Sequence, residues 1–410
     1  MSLFQDANII MQAALHAALP DTAVEKALKE LPRYSGKLVL IAAGKAAWQM
    51  AHAAYTQLGA KIDSGVVITK HGHAMGPIGP LDIREAGHPV PDEDSYTATA
   101  AAIQAVSGLT ADDLVLFLLS GGGSALFEKP LLPPEELADI TKQLLACGAD
   151  ITEINTLRKR FSAVKGGKFA QLCAPAHVFS IVLSDILGDP LDMIASGPAY
   201  PDSTTCEQAQ AIAKKYDLHL SDLARDLLTR ETPKDLPNAE SRITGSVRQL
   251  CAAASESAQA LGYKPVVLTA SLCCEARDAG SFLASIAQYH ADSKESLAFI
   301  AGGETVVHLT GHGKGGRNQE LALAAARGID GLRDTLVFSL GSDGTDGPTD
   351  AAGGWVDGTS LRRMTEKGYD LDAVLQDNDA YHALSAVDGL ILTGPTGTNV
   401  NDLSVLLIRR

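Results

Sequence analysis

The sequence predicts an α/β protein of two domains, and three observations carry that prediction. The chain has 410 residues, more than a single ordinary core accommodates. Short continuous apolar runs keep ending in glycine or small polar residues and give way to helical periodicity, the pattern of parallel sheets covered on both faces. Between two such α/β stretches lies the polar segment "TRETPKDLPNAESRITGSV", with Pro233 and Pro237. It places a boundary near residue 240 and divides the chain into domains 1–240 and 241–410.

The elements follow in order. "MSLFQDANIIMQAALHAALP" reads as an amphipathic helix; it has no basic leader and carries Asp6, so it does not fit a signal peptide. "KLVLIAAGKAAWQMAHAAY" is a strand, then Gly44-Lys45, then a helix. "DLVLFLLSGGGSALF" is a strand running into a serine-glycine loop, and "HVFSIVLSDILGD" a strand running into an acidic turn. "KPVVLTASLCCEARDAGSFLASIA" is strand, then helix. "LAFIAGGETVVHLTGHGKGGRNQELALAAARG" predicts a hairpin, a loop and a helix. "TLVFSLGSDG" and "GLILTGPTGTNVNDLSVLLI" supply the last strands.

Composition narrows the function. The formal net charge of -15 argues against nucleic acid as a partner, because that needs a basic stripe to displace counterions. No apolar run reaches the roughly 20 residues needed to cross a bilayer. Six cysteines, at 147, 173, 206, 251, 273 and 274, show no zinc spacing. A reduced, cytoplasmic protein, monomer or homodimer, is the expectation. An anionic substrate in so acidic a chain must be met by local basic groups.

Such groups stand at strand ends, where ligands bind in open α/β sheets. Lys45 follows a buried strand beside a glycine, and its ammonium suits a transferring phosphoryl group. In "LSGGGSALF", Ser120, Gly121, Gly122, Gly123 and Ser124 can turn backbone N–H groups onto an anion, or form a tight turn. "NTLRKRFSAVKGGKFA" is the most basic stretch; at helical spacing Arg158, Ser162 and Lys165 share a face, either for an anion or as a solvated surface. "GHGKGGRNQE" sets Lys314 and Arg317 in a glycine-rich loop that opens a helix with Asn318 as a candidate cap.

Carboxylates complete the inventory. In "LSDILGDPLDMIASGP", Asp185 at a strand end is a candidate general base or magnesium ligand, or a helix cap, with Asp189 and Asp192 beyond it. "SLGSDGTDGPTDAAGG" carries Asp343, Asp346 and Asp350 in a loop without calcium-loop spacing, which fits few-carboxylate magnesium binding better. "LTGPTGTNVNDL" offers Asn399, Asn401 and Asp402, to line a pocket or only to turn. The motifs come from both halves and lie at strand ends, which favours a site in the cleft between domains. Together they suit phosphoryl transfer to a small acidic acceptor.

The motifs "SGGGSAL", "EINTLRKRFSAVKGGKFA", "SDILGDPLDMIASGP", "GGETVVHLTGHGKGGRNQELALAAA", "SLGSDGTDGPTDAAGG" and "TGPTGTNVNDL" occur in an order that resembles the type II glycerate kinases, over essentially the whole chain. This is the glycerate 2-kinase family, whose C-terminal part is the MOFRL domain and some of whose members have been labelled hydroxypyruvate reductases. The resemblance implies a larger N-terminal Rossmann-like, doubly wound domain, a smaller C-terminal MOFRL-type α/β domain and an interdomain site. It implies ATP- and Mg2+-dependent conversion of D-glycerate to 2-phosphoglycerate, with Lys45 and Arg317 as the catalytic pair. The mechanism expected from these residues adds Asp185 as a catalytic group, to accept the hydroxyl proton or help hold magnesium; Ser120 to Ser124, Lys165 and Lys314 meet the nucleotide, Asp343 and Asp346 meet the metal or the acceptor hydroxyls, and Asp189 is a further metal ligand.

Two rivals are weighed. An NAD(P)-dependent hydroxypyruvate reductase would take a related substrate, but neither "AAGKAAW" nor "SGGGSAL" matches GxGxxG. His71, His73 and His88 lie in a segment expected to pack a loop or line the pocket mouth. A non-catalytic sensor of small organic acids would need no acidic loop, since carboxylates repel such a ligand unless a cation intervenes.

Overall fold

The structure is a computed structural model and describes residues 2–410. It divides into two compact units: Ala23–Ser184 with Asp189–Thr244, and Met1–Thr22 with Asp185–Gly188 and Gly245–Arg410. A cut at residue 240 would fall inside a strand, Ala239–Gly245.

The first unit holds a six-stranded sheet of β1 (Leu38–Ala43), β2 (Ser64–Lys70), β3 (Leu81–Ala86), β4 (Leu114–Leu119), β5 (His177–Leu183) and β6 (Ala239–Gly245). Their order is β3-β2-β1-β4-β5-β6, and β3 to β5 pair in parallel. Strands β1 and β4 are buried along their whole length, as expected of strands covered on both faces. Strand order reverses between β1 and β4, the switch point where doubly wound sheets open a crevice for ligands. Register pairs Ala43 with Leu119, so the loops after these two strands begin at one level.

The second unit contains β7 (Lys264–Leu272), β8 (Leu297–Gly303), β9 (Thr335–Gly341), β10 (Gly353–Asp357), β11 (Leu390–Ile391) and β12 (Asp402–Ile408) in the order β11-β10-β9-β12-β8-β7. Only β7 and β8 pair in parallel; the remaining pairs are antiparallel. This corrects the expectation of parallel sheets throughout. Residues 342–352 join β9 to β10 without a helix, and a direct loop permits only an antiparallel return.

The hairpin expected after β8 is also absent. Residues 304–316 form no strand, and their amides go elsewhere. Asn378 Oδ1 accepts from Gly311 N at 3.0 Å, Asp377 Oδ1 from His312 N at 2.9 Å and Asp379 Oδ1 from Lys314 N at 2.9 Å. The helix Leu3–Ala17, closed by a Ser2–Gln5 capping box, buries Ile10, Met11 and Leu15 in the core that contains Val247 and Leu250. Among the described residues no helix is long and apolar enough to cross a membrane.

Candidate active site

In the first unit the ends of β1 and β4 are laced together. Ser120 N donates to Ala43 O (3.0 Å), Lys45 N to Gly121 O (2.9 Å) and Ala46 N to Ser120 Oγ (3.1 Å). Gly44, at φ 128°, permits this approach, since a Cβ there would stand 2.2 Å from Ser120 Oγ. Gly122, at φ 85°, lies under His88 and Lys45; a Cβ would meet the His88 ring at 3.0 Å and Lys45 Cγ at 3.1 Å. The N–H groups of Gly121 and Gly122 donate to no acceptor among the described residues, and both glycines are partly exposed. Ser124 Oγ lies 3.4 Å from Ser196 Oγ, which donates to Asn155 Oδ1 at 2.9 Å. The site thus offers a half-buried lysine beside two amides without an acceptor among the described residues, which is the chemistry of a phosphate cradle. Burial and the charge of Lys45 push the His88 imidazole below its usual range and favour its neutral form.

The basic stretch is used differently from the expectation. Its helix, Ile151–Phe161, stops before Ser162, because residues 161–163 run beside 129–131: Leu131 N donates to Phe161 O and Ala163 N to Lys129 O, each at 2.8 Å. Arg158, Ser162 and Lys165 therefore do not share a helical face. Lys159 and Arg160 are sealed against Asp202, at 2.9 and 3.0 Å. Lys165 is fully buried, with its ammonium held by the Glu128 carboxylate and by Phe127 O, so it is spent on an internal pair instead of facing a nucleotide. Lys168 donates to the carbonyls of Lys159, Arg160 and Ser162 at the end of the helix.

In the second unit Arg317 opens the helix Arg317–Ile329. Its Nε donates to Asp402 Oδ2 at 2.5 Å and its Nη2 to Asp402 Oδ1 at 3.0 Å, while Nη1 lies 3.4 Å from Glu304 Oε1. The Asp402 carboxylate raises the arginine further above its already high range; burial pushes Asp402 upward, against the pull of Arg317. Asn401 Nδ2 donates to Glu304 Oε2 (3.2 Å) and to the backbone of Asp185 (3.3 Å). Lys314 lies over the Tyr381 ring at 4.1 Å.

The three aspartates of the glycine-rich loop have three fates. Asp346 is 3% exposed and accepts from Asn318 N (3.1 Å) and Gln319 N (2.9 Å), capping the Arg317–Ile329 helix. Both of its oxygens are thereby engaged, and burial raises its pKa to about 6. Asp350 accepts from Tyr381 Oη at 2.7 Å. Asp343 turns its own loop through Thr345 N at 2.9 Å and keeps its second oxygen outside any hydrogen bond among the described residues. Thr396 N donates to Asp343 O and Ser342 N to Asn401 O, so the acidic loop and the 392–403 turn are stitched into one surface.

Among the described residues, His71–Asp92–Asp94 and Cys206–Glu207–Glu231 are the groups with three ligating atoms in mutual reach; Asp343, Asp346 and Asp189 form none. A magnesium ion does not need such a group, since it binds through one or two carboxylates with phosphate oxygens and waters. Asp343 fits that mode, whereas Asp346 serves the helix. Asp189 adopts φ 56°, in the left-handed region.

Sequence reasoning undervalued Asp402, the bidentate partner of Arg317, and did not single out Glu304 or Glu128. Asp402 carries a signal only as part of the "TGTNVND" turn, and Glu128 carries none beyond its distance from the glycine loop.

Comparison with known proteins identifies the family. Residues 6–229 match the family described as a domain of unknown function, DUF4147, and residues 297–402 match the MOFRL family. A D-glycerate 2-kinase from Thermotoga maritima is 49% identical over 97% of both chains. A relative from Agrobacterium vitis, provisionally named a hydroxypyruvate reductase, is 42% identical over 91% of this chain and 100% of its own. The crystal structure of a glycerate kinase from Thermotoga maritima superposes with a TM-score of 0.95 at 49% identity, covering 98% of this chain and 99% of that one. The chain belongs to the glycerate 2-kinase family, with the DUF4147 and MOFRL regions as its two parts.

Proposed function

We propose that the chain transfers the γ-phosphoryl group of ATP to the 2-hydroxyl of D-glycerate, giving 2-phosphoglycerate and ADP. The observation that carries this reading is the seat of Lys45: a cation fixed by its backbone to the glycine loop after β4, beside the N–H groups of Gly121 and Gly122, which have no acceptor among the described residues. The hydroxyl oxygen attacks phosphorus, the bond to the β-phosphate oxygen breaks, and the hydroxyl proton passes to a carboxylate, assigned here to Asp185. Lys45 and the loop amides take the charge on the transferring group. Arg317, oriented by Asp402, holds the glycerate carboxylate through its remaining donors. Asp343 has a spare carboxylate oxygen that would hold Mg2+, which when bound would neutralise charge on the phosphates. Kinship supports the choice of the 2-position. Six free thiols fit a reducing cytoplasm.

Purified protein incubated with D-glycerate, ATP and Mg2+ is expected to yield 2-phosphoglycerate by phosphorus NMR. A parallel sample with hydroxypyruvate and NAD(P)H tests the reductase. Cofactor oxidation without a phosphorylated product would replace the kinase reading; 3-phosphoglycerate would replace its regiochemistry.

A further inference from the structure

A cavity of about 250 Å³ opens within the first unit between the loop Pro89–Pro91, the helix Pro134–Ala146 and the helix Ile151–Phe161. Its volume approaches the lower end of small-molecule pockets, roughly 300–1,000 Å³, which suits a nucleoside. The walls are largely apolar. Val90 and Leu145 line it while 69% and 65% exposed, an unusual outlay of apolar surface at one place. Tyr96 adds an aromatic face.

Thr141 and Lys142 also line the cavity, and three further polar groups interrupt its apolar walls. Glu128 is 3% exposed; its Oε2 serves Lys165, and its Oε1 is buried with no hydrogen-bond partner. A buried acceptor left unmade is costly, so the orphan oxygen points to a donor the ligand brings. Arg158 makes no salt bridge among the described residues, unlike its neighbours Lys159 and Arg160. Ser124 is the third, and it follows directly on the glycines of the loop after β4. Pro89, another lining residue, adjoins His88, whose ring lies against Gly122. Through these chain neighbours the cavity adjoins the loop after β4, to which the Lys45 backbone is bonded.

We propose that this cavity binds the adenine and ribose of the phosphoryl donor, with Glu128 Oε1 accepting from the adenine amino group and the phosphates running past Ser124 to the glycine loop. This rests on the kinase reading for the identity of the ligand, and it deepens that reading by assigning the nucleoside to the first unit. The apolar walls suit a heterocycle and not glycerate, which is too polar to use them.

Photolabelling the full-length protein with 8-azido-ATP and mapping the modified peptides tests the site directly. Label within residues 89–96 or 134–145 is expected, and label confined to residues after 245 would overturn the proposal. A filling variant at an exposed lining position, Ala138→Trp, gives the second measurement. With folding verified by circular dichroism, KM for ATP is expected to rise about tenfold or more relative to KM for glycerate; an unchanged ratio argues the site away. If the wild-type protein forms no phosphoglycerate yet is labelled at these peptides, the kinase reading fails and the nucleoside site stands.

Discussion

Arg317 grips Asp402 through two parallel hydrogen bonds, Nε to Oδ2 at 2.5 Å and Nη2 to Oδ1 at 3.0 Å. Only a guanidinium makes that fork, so Arg317→Lys keeps the charge and loses the geometry. Arg317→Ala leaves the buried Asp402 carboxylate without its charged partner, at a cost of about 1–3 kcal/mol in urea unfolding, since about a third of Arg317 is already exposed. The double variant with Asp402→Asn is expected to recover most of that stability and none of the glycerate turnover. Recovery of turnover would reduce Arg317 to a scaffold residue.

Lys45 carries a different prediction. Its side chain is not part of the lacing between β1 and β4, which uses its backbone N–H. Lys45→Ala should therefore unfold at the wild-type temperature while kcat falls by about 10²–10³, the usual loss for one transition-state donor. Near wild-type turnover in a folded variant removes Lys45 from the mechanism.

Gly122 joins conformation to chemistry. At φ 85°, with its pro-Cβ position 3.0 Å from His88 and 3.1 Å from Lys45 Cγ, alanine is strained twice. Gly122→Ala is expected to lose more than about 1 kcal/mol of stability and to raise KM for ATP by displacing Lys45. Stability loss with an unchanged KM separates the loop from the nucleotide.

Asp346 predicts a pH dependence. Its carboxyl is raised from 3.8 to about 6 in the folded protein, mainly by burial. Between those values the folded state holds the proton more tightly than the unfolded chain, so stability falls as pH rises through the window. Melting temperatures from pH 4 to 7 should decline relative to Asp346→Asn, which lacks the titration. Parallel curves for the two proteins contradict the raised value.

What was legible in the sequence was what neighbours along the chain decide. The run Leu38–Ala43 and its following glycine marked a buried strand ending at Lys45, because continuous apolarity and a small residue at the turn are local signals. Strand direction in the second sheet was not legible, since β9 and β12 are antiparallel through a pairing that no local pattern records. Asp346 illustrates the same limit. Capping and metal ligation use the same carboxylate oxygens, and its partner Asn318 lies 28 positions away. Lys165 was misplaced because a helical face was extended past Phe161, where tertiary pairing with residues 129–131 takes over.

The grouping of Met1–Thr22 with Gly245–Arg410 has a consequence in time. The helix Leu3–Ala17 is made early, but Val247 and Leu250, which share its core, are synthesised roughly ten to forty-five seconds later at about 5–20 residues per second. Meanwhile Ala23–Ser184 can already assemble strands β1 to β5. The apolar face of Ile10, Met11 and Leu15 thus stays without its partners over that interval, in which chaperones have access to it and aggregation competes with folding.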